Sequence, residues 1–343
     1  MIVDLLKRIV YRSGLLGLYH RVRNRNTLTV IMFHRVISPK DARWPSCDPD
    51  YTISDELFDA CIGFFRAHYN IVSVEQVLSS RNQGQPLPPR SLLITFDDGW
   101  SDNAHYALPR LQKHAAPALL FAVADAINRS EAFYQEQLVS AWRTGRLSAE
   151  TLGALCRAAG LNDNDAASRD LRAVRRLIAA LETLTPTERR KALEPSAEAL
   201  HDGLRHMIST EELRGLQRHG VAIGVHGKTH TPMTRAENID DELGAARHLV
   251  AGELGASDTQ VTTMSFPHGR WSTEIVQRAR RSGYELMFTS VPGLNALGPH
   301  RTSCPDLLAR LGFETDAVQD RRGRFRPDLL ALYLFRRTVE RLT

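Results

Sequence analysis

A chain of 343 residues with 43% hydrophobic content has enough apolar material for one large core or two smaller ones, which excludes an intrinsically disordered polypeptide and predicts a globular fold. Lys and Arg outnumber Asp and Glu by 44 to 39. The basic side chains gather in the N-terminal segment, the middle of the chain and the Arg321 to Arg341 stretch, a pattern that does not single out nucleic acid from any other anionic polymer or a membrane surface. Four cysteines, Cys47, Cys61, Cys156 and Cys304, stand far apart without a CxxC pair, which suits a reducing compartment and argues against a thiolate zinc site.

The chain begins with Ile2, Leu5, Leu6, Ile9 and Val10 on one helical face opposite Lys7, Arg8 and Arg12. Such a helix either docks on its own domain, the expected arrangement, or lies on an anionic membrane. Basic residues interrupt it too often for a signal peptide. No apolar run approaches the roughly 18 residues of a transmembrane helix. The expected location is therefore cytoplasmic, with peripheral contact at the inner face of the membrane as the alternative. Residues 1–27 form an N-terminal helical segment.

Leu28 to Phe33 reads as a buried strand ending at His34. Ser54 opens a helix with Leu57, Cys61, Phe64 and Phe65 on one face, and Asn70 to Val74 reads as a short strand. Leu92 to Phe96 is an apolar run that stops at Asp97, Asp98 and Gly99. Adjacent side chains on a strand diverge, so the two aspartates can do different work, one holding a metal and the other acting as a base. An ordinary Asp-Gly turn accounts for the same residues taken alone. Ala118 to Val123 is the next strand. From about 128 to 205 the pattern is helical only, with Thr185-Pro-Thr-Glu188 as a capping box, so this stretch reads as an insertion. Ser209-Thr-Glu-Glu212 is a second capping box. Strands follow at Val221 to Val225, Thr262 to Phe266 and Leu286 to Thr289, and alternation with helices predicts α/β architecture.

Val225 leads into His226-Gly-Lys-Thr-His230, two imidazoles that converge on one ion if the segment turns. An isolated HxxxH is equally compatible with surface histidines. At the same end of the sheet as Asp98, it completes a two-His, one-carboxylate set with open positions for water and substrate. Ser265-Phe-Pro-His268-Gly269 breaks another strand at that rim.

In order along the chain, Thr95-Phe-Asp97-Asp98-Gly99, His226 to Pro232, Phe266-Pro-His268-Gly269 and Gly283-Tyr284 to Phe288-Thr289 resemble the successive motifs of the NodB-type polysaccharide deacetylases. The resemblance runs from about Leu28 to Gly312 outside the insertion. It implies a distorted (β/α) barrel of about seven strands spanning 28–315, followed by a basic C-terminal tail or helix over 316–343. It further implies a divalent metal, usually zinc, held by Asp98, His226 and His230, with Asp97 as general base and the backbone N–H of His268 assisting the oxyanion. Two departures stand out. Ser265 occupies the position where the family often carries an arginine that orients the base. The usual Leu-x-His that supplies the general acid is missing, which leaves His300, His268 and His34 as candidates, His300 first. Gly227 in place of Ser or Thr reads as a minor change, and Asp102 and Asn103 read as turn-shaping residues.

The expected function is metal-dependent removal of an acetyl group from an N-acetylhexosamine unit of a cell-surface glycan or its lipid-linked precursor, with no nucleic-acid partner. Two alternatives stay open: hydrolysis of another N-acyl or cyclic amide, and a catalytically silent glycan-binding barrel.

Overall fold

The computed structural model of the protein describes residues 2–161, 170–297, 306–313, 315–340 and 342. The chain divides into two compact units, one of Met1–Ser38, Asp50–Asn128 and Met207–Thr343, the other of Pro39–Pro49 and Arg129–His206.

Among its described residues the first unit holds eleven strands: β1 Thr27–Phe33, β2 Arg35–Ile37, β3 Thr52–Ser54, β4 Asn70–Ile71, β5 Ser91–Phe96, β6 Ala118–Ala122, β7 Val221–Val225, β8 Thr263–Ser265, β9 Leu286–Phe288, β10 Asn295–Ala296 and β11 Leu307–Leu308. The main sheet runs β10-β1-β5-β6-β7-β8-β9-β11, with β4 paired to β5. Every pairing in it is parallel except that of β1 with β10. Beyond β11 the chain returns to β1, where Leu311 N–H donates to Val30 O at 2.8 Å and Met32 N–H to Leu311 O at 2.9 Å. The sheet therefore almost closes on itself, as the expected (β/α) barrel requires. Eight strands lie on this path rather than about seven, because β10 and β11 have only two residues each and leave no periodic signal. The Asn295 side chain stitches the seam: its Nδ2 donates to Leu28 O and Ala309 O, and its Oδ1 accepts from Ala309 N–H.

A strand's side chains alternate between faces, so each apolar run feeds two layers. Leu28, Val30, Leu93, Leu119, Phe121 and Phe288 fill the barrel interior. Ile31, Ile94, Leu120, Val225 and Met264 pack outward under the helices. Burial on both faces explains why these strands read as continuous apolar runs.

The helix Asp55–His68 starts at Ser54, whose Oγ accepts from Leu57 N–H, and Thr210–Arg218 starts at the Ser209–Glu212 capping box, both as expected. The expected strand Asn70 to Val74 is shorter. Ser73 and Gln76 form a capping box that turns Val74–Asn82 into a helix.

The N-terminal helices Ile2–Arg12 and Leu15–Arg23 dock on the domain, as expected, but the first does so through only a small part of its apolar face. Val10 and Tyr11 are the side chains packed on the domain, while Leu5, Leu6 and Ile9 are exposed. The contact is decided by aromatic fit: the Tyr11 ring stacks on Phe64, and the second helix lays His20 on Phe335 at 4.0 Å. Phe335 belongs to the helix Pro327–Phe335, within the stretch read as a basic tail or helix, and is fully buried. No helix among the described residues is long and apolar enough to cross a membrane.

The second unit is helical among its described residues. Helices Tyr134–Arg143, Ala149–Ala158 and Leu171–Leu181 enclose Leu138, Leu152, Leu155, Val174 and Leu177, and the Thr185 capping box opens Pro186–Leu193. Pro39–Pro49, which the sequence pattern alone leaves in the barrel, belongs to this unit: Asp48 accepts two 2.5 Å bonds from Arg175.

Candidate active site

The interior columns of the barrel end in polar side chains at one rim. On β5 the inward positions Leu93 and Thr95 continue to Asp97, on β7 Ala222 and Gly224 continue to His226, on β8 Thr263 continues to Ser265, and after β11 Leu308 continues to Arg310. Phe121 and Phe288, with ring centroids 5.0 Å apart, lie among the interior side chains below. Gly224 is glycine for their sake: a Cβ there would stand 2.5 Å from Thr263 Oγ1 and 2.7 Å from the Phe121 ring.

Asp98 leaves the strand in a left-handed conformation, φ 79°, followed by Gly99 at φ 82°. That turn brings the Asp98 carboxylate over the rim beside both histidines. Its Oδ1 lies 3.4 Å from His226 Nε2 and 3.3 Å from His230 Nε2, while its Oδ2 accepts from the Trp100 indole N–H at 2.9 Å. The three ligand-type atoms fall within 4.8 Å of one another. Separations of 3.3 to 3.4 Å match neighbouring ligands around an ion about 2.0–2.1 Å from each. Burial pulls the Asp98 carboxyl upward, but its bonds to His226 and His230 hold it well below the usual range. Burial brings His230 down to about 4 despite Asp98, whereas His226, also opposed by burial, is raised by the Asp97 and Asp98 charges. This is a donor set with an anionic centre and two imidazole lone pairs, and a divalent cation fits it.

Asp97 is held differently. Arg310 Nη1 and Nη2 donate to its two oxygens at 2.7 Å each, and Arg310 Nε donates to Thr289 O at 2.8 Å. Both side chains are buried. The Ser265 hydroxyl donates to Asp97 Oδ1 at 3.2 Å and stands 2.5 Å from His226 Nδ1, linking the two carboxylate systems. Burial favours the neutral acid, yet the Arg310 charge and then that of His226 keep Asp97 below the ordinary carboxylate range. The expected loss of a base-orienting arginine is therefore corrected. Ser265 does stand at that position, but Arg310 reaches the same carboxylate from the segment just after β11, where the barrel closes. Sequence reasoning missed it because it sits in Leu307-Leu-Ala-Arg310-Leu311, a run too short to assign. A lone charge in an otherwise apolar stretch was the available signal.

The loop from His226 to His230 is fixed by Glu242, whose carboxylate accepts from the Lys228 and Thr229 backbone N–H at 2.7 and 3.1 Å. Glu242 was not singled out from sequence. Gly227 is more than a minor change: at φ +73° its absent Cβ would meet Glu242 and Pro267 at 3.0 Å. His230 is also left-handed, at φ 64°. The His268 ring packs 4.7 Å from that of His230 and its Nε2 donates to His230 O, so this side chain buttresses a neighbour. His34 follows β1 at the same rim, where Asp97 N–H donates to Phe33 O, and its ring meets Tyr51 edge-on at 4.9 Å. His300 and Cys304 lie outside the described residues. Asp102 and Asn103 do not shape the turn through their side chains. Asp102 pairs with buried Arg35 at 2.8 Å, Arg35 stacks on Trp100, and Asn103 donates to His34 O. The order Asp102, Arg35, Trp100, Asp98 is a supporting chain for the carboxylate between the histidines.

The profile of the polysaccharide deacetylase family matches residues 84–287, more than half of the chain. YxkH of Bacillus subtilis strain 168, named for the same family, is 18% identical over 269 residues, covering 78% of this chain and 65% of that protein, so the chain spans just under two thirds of this relative's length. Among solved structures, the Streptococcus pyogenes deacetylase PplD in complex with acetate aligns over 90% of this chain and 99% of its own, at TM-score 0.54 and 14% identity. IcaB from Ammonifex degensii aligns over 90% and 97%, at TM-score 0.56 and 16% identity. At these identities the structures speak for the fold, and the family match speaks for descent. The chain belongs to the polysaccharide deacetylase family.

Proposed function

We propose that the protein removes the acetyl group from an N-acetylhexosamine unit of a cell-surface polysaccharide or of its lipid-linked precursor, with Asp98, His226 and His230 holding one divalent ion, zinc in the first instance. The observation that carries the reading is the unequal treatment of two adjacent carboxylates: Asp98 faces two imidazoles, and Asp97 faces a buried arginine. The ion, when bound, supplies Lewis-acid polarisation of the amide carbonyl and lowers the pKa of water.

Asp97 accepts the proton of the attacking water. Arg310 keeps that carboxylate ionised and in one orientation, so its basic lone pair points to the same place in every turnover. Ser265 ties the orientation of His226 to that of Asp97. The backbone N–H of His268 is assigned to the developing oxyanion. The leaving amine takes its proton from a histidine, His300 first, with His34 as the second candidate at the rim. Beside His34 lies a cavity of about 340 Å³ lined by Tyr51, Phe313 and Tyr333 among others, room for parts of the glycan beyond the acetamide. A silent binding barrel is disfavoured, because a carboxylate clamped by a buried arginine serves no purpose in holding an intact sugar.

The test is acetate release from a panel of N-acetylated oligosaccharides and lipid-linked saccharides, with zinc and with a chelator, alongside metal analysis of His226→Ala. Chelator-sensitive release and loss of the ion in the variant are expected. No release from any substrate at full metal occupancy would overturn the reading.

A further inference from the structure

Eleven large apolar side chains are exposed among the described residues, and eight of them lie on the two N-terminal helices. On the first helix Leu5 is 61%, Leu6 58% and Ile9 54% exposed. On the second, Leu15 at 65%, Leu18 at 58% and Val22 at 72% share one stripe at helical spacing, while Leu16 and His20 on the other side are buried. Both helices are thus held to the domain by one face and turn their hydrocarbon to water.

The charge of the same segment is equally uneven. Residues 1–27 contain six of the 44 basic and one of the 39 acidic side chains, so this segment carries the whole formal net charge of +5. Its single acid, Asp4, points to Arg326 of the domain at 3.7 Å. Arg8, Arg12 and Arg21 are exposed beside the apolar stripes. A second copy of this chain would bring like charge against like charge. Helices of 11 and 9 residues are also far too short to span a bilayer, which takes about 20. An apolar face bordered by cations, on helices lying flat, fits the boundary between anionic headgroups and acyl chains.

We propose that the helix pair Ile2–Arg12 and Leu15–Arg23 is a docking surface for a membrane rich in anionic phospholipid. The apolar side chains enter the interface and the arginines meet the headgroups. This surface is independent of the deacetylase reading, because none of its exposed side chains contributes to the rim.

The experiment floats the full chain with vesicles of phosphatidylcholine, with and without phosphatidylglycerol. Co-flotation is expected with the anionic vesicles and is expected to fade as salt shortens the screening length from about 10 Å at 0.1 M to about 3 Å at 1 M. Leu6→Glu/Leu18→Glu should lower binding at least tenfold. Arg8→Glu/Arg21→Glu should do so by about 25-fold or more, since each basic side chain near such a surface counts for about a factor of five. Both variants should keep the melting temperature and the rate on a soluble substrate. If the leucine variant fails to fold, the arginine variant carries the test. A chain that stays behind with anionic vesicles, binding that neither variant changes, or a dimer that Leu18→Glu dissociates would each overturn the proposal.

Discussion

The barrel rim and the N-terminal helix pair break the usual partition of side chains in opposite directions. At the rim, Asp97, Asp98, His226 and Arg310 are withdrawn from water; on the helix pair, Leu5, Leu6, Leu18 and Val22 are left in it. Buried charge is tolerated at the rim because each group has a partner at bonding distance. Exposed hydrocarbon is tolerated on the helices because a few other side chains, Tyr11, Leu16 and His20, already anchor them. A ligand is proposed for each place: a cation between Asp98, His226 and His230, and a lipid surface over the helix pair. The surrounding fold supplies stability to each.

The largest effects belong to the rim. Asp97→Asn is expected to retain metal and fold and to lose about 10²- to 10⁴-fold in turnover, because the amide cannot take a proton. Asp98→Asn is expected to lose metal affinity first, with partial recovery in excess zinc. Metal content and acetate release measured side by side separate the two, and the reverse pattern would exchange their roles.

Arg310 tests whether buried charge is tolerated only in pairs. Arg310→Ala leaves Asp97 buried without its cation and should lower stability by about 3–5 kcal/mol in urea unfolding. Arg310→Lys keeps the charge but not the planar fork. It should fold and bind metal yet turn over about tenfold or more slowly than the parent, the mark of a carboxylate that has lost its orientation. Equal rates for the parent and the lysine variant would reduce Arg310 to a structural ion.

A smaller effect concerns the anchor of the helix pair. His20 Nδ1 accepts from Asn24 Nδ2 at 3.0 Å and its Nε2 donates to His68 O at 3.3 Å, which fixes the neutral ring against Phe335. Burial depresses its pKa from 6.5 to about 3. The unfolded chain therefore binds a proton at this residue before the folded one does. Its contribution to stability is complete above pH 6.5 and is lost progressively as pH falls toward about 3, at no more than about 1.4 kcal/mol per pH unit. The difference between the parent and His20→Gln in urea midpoints across that window isolates this residue from the carboxylates. A constant difference would show that the ring is protonated in the fold.

The smallest effect is expected where hydrocarbon is exposed. Leu6→Gln and Leu18→Gln should change stability by less than about 0.5 kcal/mol, since these side chains meet water whether the chain is folded or not. A loss well above that would mean that the face is covered in solution.

The strand ends were legible in the sequence because a buried parallel strand is a continuous apolar run and its first polar residue marks the rim. Asp97, Asp98 and His226 were found in this way, whereas Ser265 stood out only as a departure from the family's motif. Helix starts at Ser54, Thr185 and Ser209 were legible because a cap is a local hydrogen bond between residues three apart. Arg310 was not, since its partner lies 213 residues away and only barrel closure brings the two together. Arg35 shares that reason, since its partner Asp102 is distant in sequence; Glu242 lies nearer its loop but left no signal because its carboxylate bonds backbone N–H groups, which no residue type marks. The sequence also determined that the first helix is amphipathic. Which face meets the domain was decided by tertiary packing, where the stacking of His20 on Phe335 and of Tyr11 on Phe64 prevailed over the wider aliphatic stripe. Apolar residues at helical spacing fix that one face seeks an apolar partner, and the rest of the fold settles whether that partner lies within the chain.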